Sequence, residues 1–292
     1  MSQLIEQIRA QFQAADDIRD VGLQTPEDIE RYDDIPYGED PVWQSLDVYR
    51  PRTYRGQTLP VIVSVHGGAW VYGNKERYQY YCMQLALQGF AVVNFTYRLA
   101  PEFQFPASLE DTNLVIRWVF QHSAQYRLDT RRIFAVGDSA GAHILGLYTA
   151  LCTDPDFASQ FSFAPPADFV PTGIALNCGV YHCPHKENDL TTSLLSELLP
   201  GKGTPSELEQ INVLHHVNPA FPPVFLMTAA GDFLQEDALL LAQALIHNNV
   251  PFQFHFYGDS GNILGHVFHC NIRLPAADRC NRATCDFFKE LI

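Results

Sequence analysis

The sequence predicts an α/β protein: a mostly parallel central sheet with helices on both faces and a small cap. Three observations carry that prediction. Short runs of consecutive apolar residues alternate with longer segments of helical periodicity, the pattern of strands buried on both faces. A Gly-x-Ser-x-Gly stretch, Gly137-Asp138-Ser139-Ala140-Gly141, falls between one such run and a helical segment. A second run is followed at once by His66-Gly67-Gly68.

Leu4, Ile5, Ile8 and Phe12 recur at helical spacing, so an amphipathic helix opens the chain, over about residues 1–22. Asp16 to Asp40 is polar and turn-rich, with Pro26, Pro36 and Gly38 as breakers. Ser45 to Tyr49 alternates apolar and polar residues like a half-buried strand. Strands are then expected at Val61–Val65, Ala91–Phe95, Ile133–Val136, Gly173–Asn177, Val224–Ala229 and Phe252–Phe256. Helices are expected at Tyr78–Gln88, Ser108–His122, Ala142–Leu151, Ala238–His247 and Ala276–Leu291. Asp154 to Thr172, rich in Pro, Phe and Ala, reads as a surface loop. Val180 to Pro223, with a short helix at Thr191–Leu199, reads as a cap inserted between two strands. The expectation is one domain over residues 1–292 with that insertion at about 180–223.

Composition narrows the function classes. Hydrophobic residues make up 47% and charged residues 18%, as in an ordinary globular protein. A net charge of −14 argues against nucleic acid or an anionic membrane surface as partner, since both require basic patches. The amino terminus has no basic start followed by an apolar run, and no stretch has the apolar length of a membrane span. Seven scattered cysteines suit reduced thiols, so a cytoplasmic location is expected. Cys178, His182, Cys183 and His185 cluster in sequence, but without the second ligand pair of a structural zinc site. No metal and no cofactor are expected.

In parallel sheets, ligand chemistry sits at the carboxyl ends of the strands. Ser139 there would stand on a tight turn, with Gly137 and Gly141 leaving room for the neighbouring strand and helix. After Val65 come His66-Gly67-Gly68-Ala69-Trp70, whose small residues let backbone N–H groups approach a ligand oxygen. The candidate oxyanion segment is Gly67, Gly68 and Ala69, joined by Ala140. After Ala229 comes Asp232, the candidate orienting carboxylate; its competitor Asp237 falls at a helix start and reads as an N-cap. After Phe256 a Gly-rich loop brings His266, the candidate base, and His269 reads as packing. Only His266 gives the chain order Ser, Asp, His. Trp70, Tyr72 and Phe233 are candidate pocket walls.

These residues resemble the α/β-hydrolase superfamily, and within it the hormone-sensitive-lipase-like carboxylesterases. The resemblance rests on Asp34-Ile35-Pro36-Tyr37-Gly38, Leu46-Asp47-Val48-Tyr49, HGGAW at 66–70, Tyr97-Arg98-Leu99-Ala100-Pro101-Glu102, GDSAG at 137–141, Asp232 and His266. It implies Ser139 as nucleophile, Asp232 as acid, His266 as base and an oxyanion hole from Gly68, Ala69 and Ala140. HGGAW stands where HGGGW is commoner, and GDSAGA where GDSAGG is. Both are similar to bacterial feruloyl/acetyl esterases and kynurenine-formamidase-like members. The expected activity is hydrolysis of short-chain acyl esters, acetyl to butyryl, on a small alcohol, aryl or sugar group. An amide or formamide hydrolase with the same triad is the alternative, and a non-catalytic binding protein of the same fold is the rival from another class. The expected partner is a small-molecule ester; the sequence leaves a homo-oligomer open.

Overall fold

The computed structural model describes residues 2–184, 187 and 189–292. In chain order the elements are α1 (Gln3–Asp20), β1 (Ile29–Pro36), β2 (Ser45–Pro51), β3 (Leu59–Val65), α2 (Lys75–Ala86), β4 (Ala91–Phe95), α3 (Ala107–Tyr126), β5 (Leu128–Asp138) and α4 (Ala140–Thr153). Then follow α5 (Pro155–Ala158), β6 (Gly173–Asn177), α6 (Leu190–Leu198), α7 (Pro205–Gln210), α8 (Val213–His216), β7 (Val224–Ala229), α9 (Gln235–His247), β8 (Phe252–Tyr257) and α10 (Pro275–Glu290).

The eight strands form one sheet in the order β1-β2-β4-β3-β5-β6-β7-β8. β1 and β2 pair antiparallel, as do β2 and β4; the other pairs are parallel. The chain runs from β3 outward to β4, then returns to place β5 on the other side of β3. That reversal of direction opens a crevice at the carboxyl ends of β3 and β5. Val65 is level with Gly137 there, so the two loops that follow start side by side.

The apolar strands work because each face has a cover. Val61, Val63 and Val65 of β3 belong to the same core as side chains of α1, α3, α4 and α9. Ile62 belongs to the opposite core, with side chains of α2 and α10. β2 departs from its expected half-exposure: all seven residues are buried. Leu46 and Val48 face one core and Tyr49 the other, while polar Asp47 is neutralised by Lys75 Nζ at 3.0 Å.

Two further differences have local causes. β1 lies inside the stretch read as turns, because an edge strand with one flank in water can keep Glu30, Arg31, Asp33 and Asp34. The insertion holds two helices beyond the expected one. α7 starts at a capping box, Thr204 with Glu207, and α8 at Asn212, whose side chain accepts from Leu214 N–H. No helix among the described residues is long and apolar enough to cross a membrane.

Candidate active site

The turn after β5 holds Ser139 at φ 52° and ψ −121°, outside the regions a serine ordinarily adopts. The strain is held from several sides. Ser139 N–H donates to Asn177 O at 3.0 Å, and its own carbonyl accepts from His143 N–H at 3.2 Å. A side chain on Gly137 would meet Gly141 O at 2.6 Å, and one on Gly141 would meet Val65 O at 2.1 Å and His66 O at 2.5 Å. The obstacle at Gly141 is backbone, which cannot swing away. Gly141→Ala is therefore expected to push α4 off the loop after β3, lowering stability by about 3 kcal/mol or more and activity with it. A thermal melt matching the wild type would contradict this.

His266 reaches the serine from the loop after β8. Its Nε2 lies 3.0 Å from Ser139 Oγ and its Nδ1 2.7 Å from Asp232 Oδ1. Two contacts hold the loops after β7 and β8 together: a parallel bridge between Gly231 and Gly265, and the Gly231 N–H bond to Leu264 O at 2.8 Å. Asp232 is buried, which alone would raise its pKa. The bond to His266, Leu234 N–H on Oδ1 at 3.0 Å and the Thr228 hydroxyl on Oδ2 at 2.7 Å outweigh burial and hold it below the ordinary value. The arrangement can take a proton from Ser139 onto Nε2 while an ionised carboxylate steadies the ring at Nδ1.

Asp237, expected to cap α9, instead sits on its first turn, because α9 starts at Gln235. Its carboxylate accepts the N–H groups of Tyr181 at 2.7 Å and His182 at 3.0 Å, fixing the start of the insertion.

The loop after β3 is wound tightly. Gly68 has φ +122°, and Ala69 and Trp70 have φ 53° and 62°. Gly68 accepts no Cβ, since one would lie 2.1 Å from Tyr72 O. The backbone N–H groups of Gly68, Ala69 and Ala140 have no hydrogen-bond partner among the described residues. Gly67 requires a correction: its N–H donates to the Tyr78 hydroxyl at 2.9 Å and cannot serve a ligand. Its carbonyl is held as well, by His66 Nδ1 at 2.8 Å. Burial pushes the His66 pKa down to about 4, so the ring is neutral and carries its proton on Nδ1. Tyr97 stacks on that ring at 4.0 Å and donates from its hydroxyl to His66 O at 2.9 Å.

The three expected pocket walls fare differently. Phe233 is 74% exposed, with its ring 4.4 Å from that of His266, so it shields the imidazole from the solvent side. Tyr72 lines a cavity of about 320 Å³ together with Trp43, Val71 and Leu99, a space that includes neither Ser139 nor His266. Trp70 is buried and backs the loop, its indole N–H donating to His143 Nδ1 at 3.2 Å. His269 is buried as packing, with its Nε2 3.6 Å from Cys270 Sγ. Of the cysteine–histidine cluster, His185 lies outside the described residues. Of the others, Cys178 Sγ contacts Met227 Sδ at 3.9 Å, and Cys183 Sγ contacts His143 Nε2 at 3.8 Å.

Sequence reasoning missed Tyr78, the partner role of Asp138 and Thr228. A threonine four positions before Asp232 in an otherwise apolar strand was the available signal for the last. Tyr78 had none, since it reads only as the first residue of an expected helix.

Strand order, the strained serine turn and the wound loop beside it are those of the α/β-hydrolase superfamily, and the relatives that follow place the chain in its hormone-sensitive-lipase-like branch. Residues 46–237 match the BD-FAE family model, and the chain belongs to that family. It is 31% identical over 207 residues to carboxylesterase NlhH of Mycobacterium tuberculosis, covering 68% of this chain. The chain spans 64% of the length of that relative. Esterase LipI of the same organism is 28% identical over 253 residues, covering 80% of this chain and 74% of LipI. Esterase B from Lactobacillus rhamnosis, in a C4-C4 SN3 tributyrin phosphonate inhibited form, superposes with a TM-score of 0.91 at 25% identity, covering 100% of this chain and 96% of that one.

Proposed function

We propose that the protein is a serine carboxylesterase acting on short-chain acyl esters. The observation that carries the reading is the unbroken line of hydrogen bonds Asp232–His266–Ser139, at 2.7 and 3.0 Å. Ser139 Oγ attacks the acyl carbonyl as His266 Nε2 takes its proton, and the imidazolium is steadied by Asp232. The carbonyl oxygen, now negative, accepts from Gly68, Ala69 and Ala140. One such bond in a site with little water lowers the barrier by about 3 kcal/mol. His266 returns the proton to the departing alcohol, and water completes hydrolysis of the acyl-enzyme by the same route in reverse.

Residues 180–223 act as a small cap in this reading. Support comes from Asp237, which ties Tyr181 and His182 beside the acid loop, and from Leu194, Leu195 and Leu198 of α6, which are buried in the main core. Among the described residues, the helices of the insertion are short, nine, six and four residues, and supply no long apolar lid. Esterase B, with its tributyrin phosphonate form, favours the same substrate class. Hydrolysis of p-nitrophenyl esters is expected to peak between acetyl and butyryl. A rate rising steadily past about eight acyl carbons would overturn the short-chain reading, since each methylene a pocket accepts adds about 1 kcal/mol of discrimination or more.

A further inference from the structure

Gly67 is held at its nitrogen by a residue the mechanism above does not use. Its N–H donates to the Tyr78 hydroxyl at 2.9 Å, and that hydroxyl donates to Asp138 Oδ2 at 2.7 Å. The direction of the chain is fixed by chemistry. An amide N–H can only donate, and the one phenolic proton goes to the carboxylate, leaving a lone pair for Gly67. Burial keeps the Tyr78 phenol neutral.

The chain joins the two segments that must stay in register for catalysis. Asp138 precedes Ser139, and Gly67 precedes the free N–H groups of Gly68 and Ala69. The fit leaves no slack: a Cβ on Gly67 would lie 2.6 Å from Asp138 Oδ2 and 2.9 Å from the Tyr78 hydroxyl. Tyr78 itself stands on α2, whose first turn is fixed by Asn74 accepting from Arg77 N–H. Asp138 is 2% exposed, and a carboxylate in that position costs desolvation that an apolar residue would avoid. One helix, the end of one strand and the loop after β3 thus meet in a polar relay at one spot.

We propose that Tyr78 is a positioning residue for catalysis: bridging Asp138 and Gly67, it sets the aim of the Gly68 and Ala69 N–H groups relative to Ser139. The inference rests on Ser139 acting as the nucleophile. His66 holds the Gly67 carbonyl and Tyr78 its nitrogen, so without the hydroxyl Gly67 keeps one of its two hydrogen bonds.

The test compares wild type, Tyr78→Phe and Asp138→Asn for p-nitrophenyl acetate hydrolysis, fluorophosphonate labelling rate and thermal melting. Tyr78→Phe is expected to lower kcat about 10- to 100-fold with KM within about threefold, less than the loss of a whole oxyanion donor. The labelling rate falls by a similar factor, because the phosphoryl oxygen uses the same donors. Asp138→Asn, which keeps an acceptor for the phenol, loses less than about tenfold. A Tyr78→Phe protein with wild-type kcat overturns the proposal. So does a fall in kcat that follows loss of folded protein while the labelling rate per folded molecule is unchanged. A wild type that is neither active nor labelled removes the Ser139 reading instead, and this one with it.

Discussion

Ser139→Ala is expected to abolish fluorophosphonate labelling and to lower kcat for p-nitrophenyl acetate by about 10⁴-fold or more. The effect is large because, in the proposed mechanism, this hydroxyl, 3.0 Å from His266 Nε2, forms the acyl-enzyme. His266→Ala should lose as much, and the double variant little more, since the two act in one step and their losses do not add. What survives in each comes from binding and from the donors on Gly68, Ala69 and Ala140. Additive losses, or a Ser139→Ala protein that still labels, would place the nucleophile elsewhere.

The second large effect is on stability in acid. Burial holds His66 and His143 at a pKa of about 4 and His269 at about 3, against 6.5 in the unfolded chain. Between pH 6.5 and 4 the unfolded chain therefore binds more protons at these sites than the folded one, and stability falls as pH falls. Each ring contributes a loss of about 3 kcal/mol or more across that window. Asp138 opposes them. Burial raises it to about 6, so the folded state holds its proton more tightly than the unfolded one and gains about 3 kcal/mol over a similar window. Three histidines outweigh one aspartate, so the balance among these four groups is a loss of stability as pH falls. Urea midpoints are expected to drop steeply between about pH 6.5 and 4.5; a flat profile would mean that these rings are not neutral in the fold.

The strands of the parallel sheet were legible because each is a short apolar run between breakers; Ala91–Phe95, Gly173–Asn177 and Val224–Ala229 fall where the sequence places them. β1 was hidden because its edge position lets polar residues stand in a strand. α7 could have been read from Thr204-Pro205-Ser206-Glu207, a helix start with proline in its first turn. At the site, chain order brought Ser139, Asp232 and His266 together before any coordinates. Gly67 and Asp237 show where that logic stops. Whether an N–H is free, or a carboxylate caps its own helix, depends on Tyr78 and on Tyr181–His182, partners 11 and 55–56 residues away in sequence. Such contacts leave no periodicity or spacing to read.

The sheet also acts as a ruler. Ser139 follows β5 and Asp232 follows β7, with β6 between them, so their loops start two strand spacings apart, about 9.5 Å. One imidazole with hydrogen bonds of 3.0 and 2.7 Å at its two ends spans that gap. β6 itself contributes Asn177 O, the acceptor that pins the serine turn from the middle. The tolerance of the site is thus set by backbone hydrogen bonding between neighbouring strands. Loops at either end can be rebuilt for new substrates while the distance across which the proton travels stays the same.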